Sequence, residues 1–220
     1  MREKYADTPD KEANRYVALC DIWREKYLQL DREELKERFH LKSDTESHYI
    51  TYFHQQYRID QSTGMIFLES DPERELGFDT VMAVYHLFYY AKPYAKVSGV
   101  FVPFREVKRA APFDAAFKRG VLGTAARDFE GRLEELHRAC RALGGQPLKQ
   151  GDAGYQINAF DCMPLQMLFW DGDEEFPAQA NVLFDADITD FLHEETVVLI
   201  GGELFRRLRE EAGSGCLHTP

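Results

Sequence analysis

Apolar residues recur every three or four positions in two stretches near the start of the chain. The first stretch begins at Thr8 and runs to Tyr27, and the second begins at Asp31 and carries Leu35 and Phe39. Thr and Asp are favoured at helix N-termini because their side-chain oxygens accept hydrogen bonds from the first free backbone N–H groups. The pattern therefore predicts two helices before residue 40.

The period of the pattern changes to two after Ser47. Two sets of side chains alternate from Tyr49 to Tyr57, as in a strand with two different faces. The turn-forming residues 61–64 follow, and a second apolar run extends from Met65 to Glu69. We therefore predict one strand over 49–57, joined to a second strand by a turn at 61–64.

The rest of the chain alternates between helical and extended patterns. It predicts a helix over 73–91, a strand over 100–104, helical segments from 112 and from 124 to about 143, strands over 155–160, 165–170 and 181–184, and a helix over 194–211. This order indicates an α+β fold: a single globular domain over residues 1–212, with a mostly antiparallel sheet of about five to six short strands packed against four to six helices. Residues 213–220 are predicted to form a frayed tail.

The charges are distributed unevenly over the 220 residues. Lys and Arg total 27 and Asp and Glu total 38, so the net charge is −11. Residues 1–150 hold 24 charges of each sign, whereas residues 151–220 hold 14 acidic and 3 basic residues. Binding to nucleic acid or to an anionic membrane surface requires a basic face, so we expect neither as a partner.

The cysteines and the apolar runs indicate a cytoplasmic protein. The four cysteines form no Cys-x-x-Cys pair, so there is no cysteine motif for an iron–sulfur cluster. The polar N-terminal segment does not resemble a signal peptide, and the longest apolar run, around 81–91, is too short to span a bilayer. Cys162 is interpreted as a small buried side chain in preference to a reactive thiol.

Four carboxylates lie within the five residues 171–175, which we call the acidic loop. The loop starts like a calcium-binding loop but lacks the glycine required at its sixth position. Carboxylate oxygens are the preferred ligands of hard divalent cations, so Asp171, Asp173 and Glu175, together with Asp185, are candidate metal ligands. The alternative is a solvated acidic loop.

A basic and aromatic segment precedes this acidic region. Residues 92–119 hold seven basic and two acidic side chains, interleaved with aromatic rings. Cations beside aromatic rings suit a carboxylate or phosphate on an otherwise apolar ligand. The candidate ligand-binding residues are Phe101, Phe104, Arg105, Phe117, Lys118 and Trp170. The alternative is that the cations pair with the protein's own acidic third. We expect Arg105 or Lys118 to lie near the block of acidic residues between Asp152 and Glu195.

Trp170 stands between an apolar strand and the acidic loop. In the binding interpretation it lines a cleft with Phe101 or Phe104. In the alternative interpretation it is enclosed beneath the last helix, against Val198 or Leu204. The two interpretations differ in whether the indole ring is exposed.

Several blocks of the sequence resemble one prokaryotic family. They are Ser98–Glu106, Phe113–Phe117, Leu143–Gly145 and Pro164–Asp185, and the most specific part is the Trp-x-Gly-Asp-x-Glu-Phe-Pro run that begins at Trp170. Over roughly residues 23–208 the chain resembles the domain-of-unknown-function family 3786. The resemblance implies a setting in anaerobic metabolism, because the family occurs largely in anaerobes. Some relatives carry a four-cysteine iron–sulfur domain like that of corrinoid iron–sulfur proteins, and this chain lacks that cysteine cluster.

Three functions remain open at this point. The first is a soluble ligand-binding or accessory protein of anaerobic redox or corrinoid-linked metabolism. Its partner would be a small anionic or cofactor-like ligand, or a redox or corrinoid protein. The second is a metal-dependent enzyme that uses the acidic loop with Asp185. The third is a structural or protein-interaction module.

Overall fold

The computed structural model describes residues 11–214, with side chains from 15 to 213. The helices are α1 (Lys11–Leu28), α2 (Arg32–Phe39), α3 (Phe78–Tyr90), α4 (Asp114–Phe117), α5 (Gly123–Phe129), α6 (Leu133–Ala142) and α7 (Glu194–Ser214). The strands are β1 (Lys42–Ser43), β2 (Ser47–Tyr52), β3 (Gln55–Asp60), β4 (Ile66–Leu68), β5 (Phe101–Pro103), β6 (Gln146–Pro147), β7 (Ala153–Phe160), β8 (Met163–Trp170) and β9 (Gln179–Asp185). The predicted helix start at Thr8 and residues 215–220 of the predicted tail lie outside the described residues, whereas Gly213 and Ser214 belong to α7.

The strands form two sheets. The first has the order β1-β2-β3-β4, and the second has the order β5-β9-β8-β7-β6. Neighbouring strands in both sheets are antiparallel. The predicted α+β class with mostly antiparallel strands is confirmed, and its strands are divided between the two sheets.

The single strand predicted over 49–57 is wrong, because a tight turn interrupts it. β2 and β3 are joined by Phe53 and His54, whose φ angles are 45° and 64°. Two-residue hairpin turns with positive φ at both positions usually carry Asn-Gly, so Phe-His contains no recognisable turn signal. Phe53 is fully buried, and its N–H donates to the carbonyl of Ala159 at 2.8 Å. This turn is therefore held by the second sheet.

The helix predicted from 124 to about 143 is likewise divided. α5 ends at Phe129 and α6 begins at Leu133, with Gly131 between them at a φ of 69°. Glycine adopts this left-handed conformation without the steric cost that other residues pay. The apolar stripe continues across the break, which is why the spacing alone predicted one helix.

A continuous hydrophobic core extends across both sheets. Tyr52 at the end of β2 stacks on Phe160 at the end of β7, with ring centroids 4.6 Å apart. α3 is buried on most of its circumference and packs against α1 and α7. None of the helices within residues 11–214 is long and apolar enough to cross a membrane.

Candidate functional site

Trp170 occupies the last position of β8 and is 40% exposed. It pairs with Gln179 of β9, while its neighbours Leu168 and Phe169 are buried. Trp170 is therefore not enclosed beneath the last helix, which was one of the two interpretations of the sequence. The indole ring is available to solvent at the end of the second sheet.

A groove of about 440 Å³ runs beside the ring of Trp170. We call it the Trp170 groove. One wall comes from the helical segment around α5, and the other comes from the start of β9. Besides Trp170, it is lined by Lys118, Leu122, Gly123, Ala126, Ala178, Gln179, Ala180 and Asn181. Four of these residues are glycine or alanine, so much of the lining consists of small side chains.

A π-helical turn begins at Lys118, which lines this groove. The turn spans Lys118–Leu122 between α4 and α5, and the N–H of Gly123 donates to the carbonyl of Lys118. π-helical turns are rare, and those inserted in α-helices occur frequently at functional sites. A Cβ atom on Gly123 would lie 3.3 Å from the Lys118 carbonyl oxygen, so the residue following the turn has little room for a side chain.

The ammonium group of Lys118 has one charged partner on its own helix. Its Nζ lies 2.8 Å from the Asp114 carboxylate, and the lysine side chain is 54% exposed. Elsewhere in the basic segment, Lys92 pairs with Asp190 of the acidic third at 2.5 Å. Lys118 thus lies beside the tryptophan that precedes the acidic loop.

The other predicted ligand-binding residues do not reach the Trp170 groove. Phe104 and Phe117 are 2% and 1% exposed, and their rings stack at 4.3 Å within the core. Phe101 lies on β5, at the opposite end of the sheet, where it pairs with Asp185. Arg105 is exposed in the short helical turn after β5, and no ion pair involves it among residues 11–214.

The carboxylates of the acidic loop accept hydrogen bonds from the backbone. Asp171 accepts from the N–H of Gly131 at 2.8 Å. One oxygen of Asp173 accepts from the N–H groups of Phe176 and Glu175, both at 2.8 Å, and these bonds lower the pKa of Asp173. The loop is thus shaped by its own carboxylates, as a turn in which Asp side chains bind the backbone two or three residues ahead.

Asp185 has a separate structural role. Its buried carboxylate accepts hydrogen bonds from the N–H and hydroxyl of Ser98 and from the N–H groups of Gly99 and Asp187, at 2.8 to 3.1 Å. It stands at the opposite end of β9 from the acidic loop, roughly 20 Å away along the strand. The described residues contain no group of three or more His, Cys, Asp or Glu side chains that would hold a metal ion. The four predicted metal ligands are therefore not brought into one site.

A second cavity, of about 340 Å³, lies where the two sheets meet. We call it the inter-sheet cleft. Arg38, His40 and Lys42 line it on one side, and Phe160 and Cys162 line it on the other. The alternate spacing of Arg38, His40 and Lys42 can be seen in the sequence. Their proximity to Cys162 depends on how the two sheets pack, which periodicity does not reveal.

The described residues form an antiparallel α+β protein in which the exposed Trp170 and Lys118 line one groove. The chain belongs to the family described as Domain of unknown function (DUF3786), whose model matches residues 31–207. The family resemblance seen in the sequence is therefore confirmed. Comparison with curated proteins finds no match, and neither does comparison with solved structures.

Proposed function

We propose that this chain binds a small, partly anionic ligand that has a flat apolar part. The observation that carries the proposal is that Trp170 and Lys118 line one groove. They come from different elements, and Lys118 begins a π-helical turn, a rare structure that occurs frequently at functional sites. The combination supplies an aromatic face and a cation next to each other.

The exposed indole ring provides the apolar part of the site. A planar ligand stacks on such a face in an offset arrangement, and the small residues of the groove floor leave space for it. Lys118 supplies a charge for a carboxylate or phosphate on the same ligand. Its present pair with Asp114 is an exposed i,i+4 ion pair, worth about 0.3–0.5 kcal/mol, so a ligand anion can recruit the ammonium group at small cost.

The charges on the two sides of Trp170 are opposite in sign. A further groove of about 380 Å³ on its other side is lined by Asp152, Asp171 and Asp173, together with Phe176. An anionic group placed there would meet like charges, which is unfavourable. We therefore propose that the ligand directs its anionic end towards Lys118 and a neutral or cationic end towards the acidic loop.

We also propose an accessory role in anaerobic redox or corrinoid-linked metabolism, with a redox or corrinoid protein as partner. The family resemblance supports this setting. The acidic loop and Phe176, which is 63% exposed, offer an accessible surface next to the ligand groove.

Native mass spectrometry of the protein, incubated with the small-molecule fraction of an anaerobic bacterium, tests the binding proposal. The wild type is expected to retain a small molecule, and Trp170→Leu and Lys118→Met are expected to reduce its occupancy about tenfold. Tyr94→Leu and Lys36→Met are matched controls, because they remove an exposed aromatic ring and an exposed helical lysine outside the groove. Equal retention in all five proteins, or no retained molecule in the wild type, contradicts the proposal.

A further inference from the structure

The inter-sheet cleft is built mainly by three parts of the chain that are distant in sequence. Most of its lining comes from the end of α2 with β1, from β2 and from the β7–β8 turn, and Gln56 of β3 and Leu87 of α3 complete it. The sheets are joined beside it by the stacked rings of Tyr52 and Phe160 and by the Phe53 to Ala159 hydrogen bond. Its volume of about 340 Å³ is at the lower end of the range typical of small-molecule sites.

The interior of the cleft is apolar. Ile50, Leu87 and Phe160 are each 6% exposed or less, and they line its deeper part with Leu41. Transfer of a hydrocarbon group from water to such a surface is favourable, because it removes apolar area from water. This part of the cleft therefore suits a short hydrocarbon chain or a ring.

The rim of the cleft carries more positive than negative charge. Arg38 and Lys42 line it together with His40, and Asp161 is the acidic residue among the lining side chains. Arg38 is held in place, because its guanidinium donates to the carbonyl of Ala91 at 2.7 Å and pairs with Glu34. A guanidinium has five N–H donors, so this anchoring leaves donors for a further acceptor.

His40 occupies its place at the rim in an unfavourable backbone conformation. It follows α2 with a φ of 50°, in the left-handed region where glycine is the usual residue. The N–H groups of His40 and Leu41 donate to the carbonyls of Glu37 and Lys36, at 3.4 and 3.0 Å, and so close the last turn of α2. This cap at the end of α2 fixes the backbone of His40, whose side chain lines the cleft together with Arg38 and Lys42.

Cys162 lines the opposite wall as a neutral thiol. Burial raises the pKa of this thiol to about 12, so it adds no negative charge to the cleft near neutral pH. A protonated thiol is also a poor nucleophile. The wall opposite the cations therefore suits reversible binding of an apolar group.

We propose that the inter-sheet cleft binds a small monocarboxylic acid, with its hydrocarbon part in the apolar interior and its carboxylate at the rim formed by Arg38, His40 and Lys42. This site is separate from the Trp170 groove and uses none of its lining residues. The ligand classes also differ, because the cleft encloses an apolar group whereas the groove offers one open aromatic face.

Equilibrium dialysis with radiolabelled phenylacetate at neutral pH tests this inference. The wild type is expected to bind one equivalent saturably, in the millimolar range or below. Lys42→Met is expected to weaken binding about threefold to fivefold, the size of an exposed ion pair. The uncharged analogue phenylacetamide is expected to bind more weakly by a similar factor. Lys36→Met is the matched control, because Lys36 is an exposed lysine of α2 that does not line the cleft.

Trp170→Leu separates the two proposed sites. If the cleft is the binding site, this variant binds phenylacetate as the wild type does. Loss of binding in Trp170→Leu would assign the phenylacetate to the Trp170 groove and overturn the inference. It is also overturned if the wild type shows no saturable binding up to about 10 mM, or if Lys42→Met and the wild type bind equally.

Discussion

Glu203 of α7 is a buried carboxylate with a complete set of partners. It is 2% exposed and accepts hydrogen bonds from Thr80 at 2.9 Å and from Arg207 at 2.8 Å. Arg206 donates to both of its oxygens. Arg207 also donates to Tyr57, at 2.7 Å, and so links α7 to β3 of the first sheet. This cluster joins α3, α7 and the first sheet inside the core.

We predict that Glu203→Gln lowers the free energy of unfolding by about 3 kcal/mol, because it leaves Arg207 buried without a countercharge. Glu33→Gln is the control, since Glu33 forms an exposed ion pair with Lys36 and its loss should change stability by less than about 1 kcal/mol. Urea denaturation at neutral pH measures both values. Equal effects of the two substitutions contradict the role assigned to Glu203.

The same carboxylate makes stability depend on acid. Burial raises the pKa of Glu203, but the hydrogen bonds and charges of Arg206 and Arg207 outweigh it, so the net pKa lies below its ordinary value of 4.5. The stabilisation is therefore complete above that value and is lost as the pH falls through the lowered pKa. The difference between the wild type and Glu203→Gln should accordingly shrink under acidic conditions.

At the scale of elements, long uninterrupted patterns were predicted well and short interruptions were not. β8 and the start of α7 lie within two residues of their predicted positions, because their apolar periods are unbroken. The turn at Phe53 and His54 was missed because its conformation is imposed by a contact with β7. Local sequence carries no record of such a contact.

The residues of the candidate site were likewise only partly predictable from the sequence. Trp170 was identified because an aromatic residue beside an acidic loop is conspicuous in the sequence. Phe104 and Phe117 were chosen for their neighbouring cations, but an aromatic residue next to a cation has the same pattern whether it faces a groove or the core. Lys118 lines the groove at the start of a π-helical turn, and no spacing rule predicts such a turn.

The β2–β3 turn leads to a prediction about backbone strain. His54 is exposed with a φ of 64°, so His54→Gly should relieve the left-handed conformation and stabilise the protein by roughly 0.5–1 kcal/mol. Gln56→Gly on β3 introduces the same residue where the backbone is regular, and it should destabilise by a similar amount. Thermal denaturation measures the stability of both variants. A loss of stability in both argues against strain at His54.

At the scale of the whole molecule, the continuous core predicts that both sheets unfold together. The chain has two tryptophans: Trp23 packs against α3, and Trp170 ends β8. We propose that residues 1–212 form one cooperative domain. In Trp170→Phe, tryptophan fluorescence reports on Trp23 alone. The urea transition followed by this fluorescence should coincide with the transition followed by circular dichroism in the same variant. Two separated transitions would show that the two sheets unfold independently.

The uneven distribution of charge along the chain is also seen around Trp170. Trp170 lines two grooves: one contains the carboxylates of Asp152, Asp171 and Asp173, and the other contains Lys118, whose ammonium group pairs with Asp114. This arrangement is the basis for the proposed orientation of the ligand.

The most direct test follows the indole N–H signals of the two tryptophans by NMR during titration with 2-naphthoate, a flat aromatic carboxylate. The Trp170 signal, assigned by its loss in Trp170→Phe, is expected to shift saturably below about 5 mM while the Trp23 signal stays in place. Lys118→Met and the uncharged 2-naphthamide should each weaken the effect. A Trp170 signal that does not move, or that moves equally with both compounds and in Lys118→Met, would contradict the claim that Trp170 and Lys118 bind a flat anion.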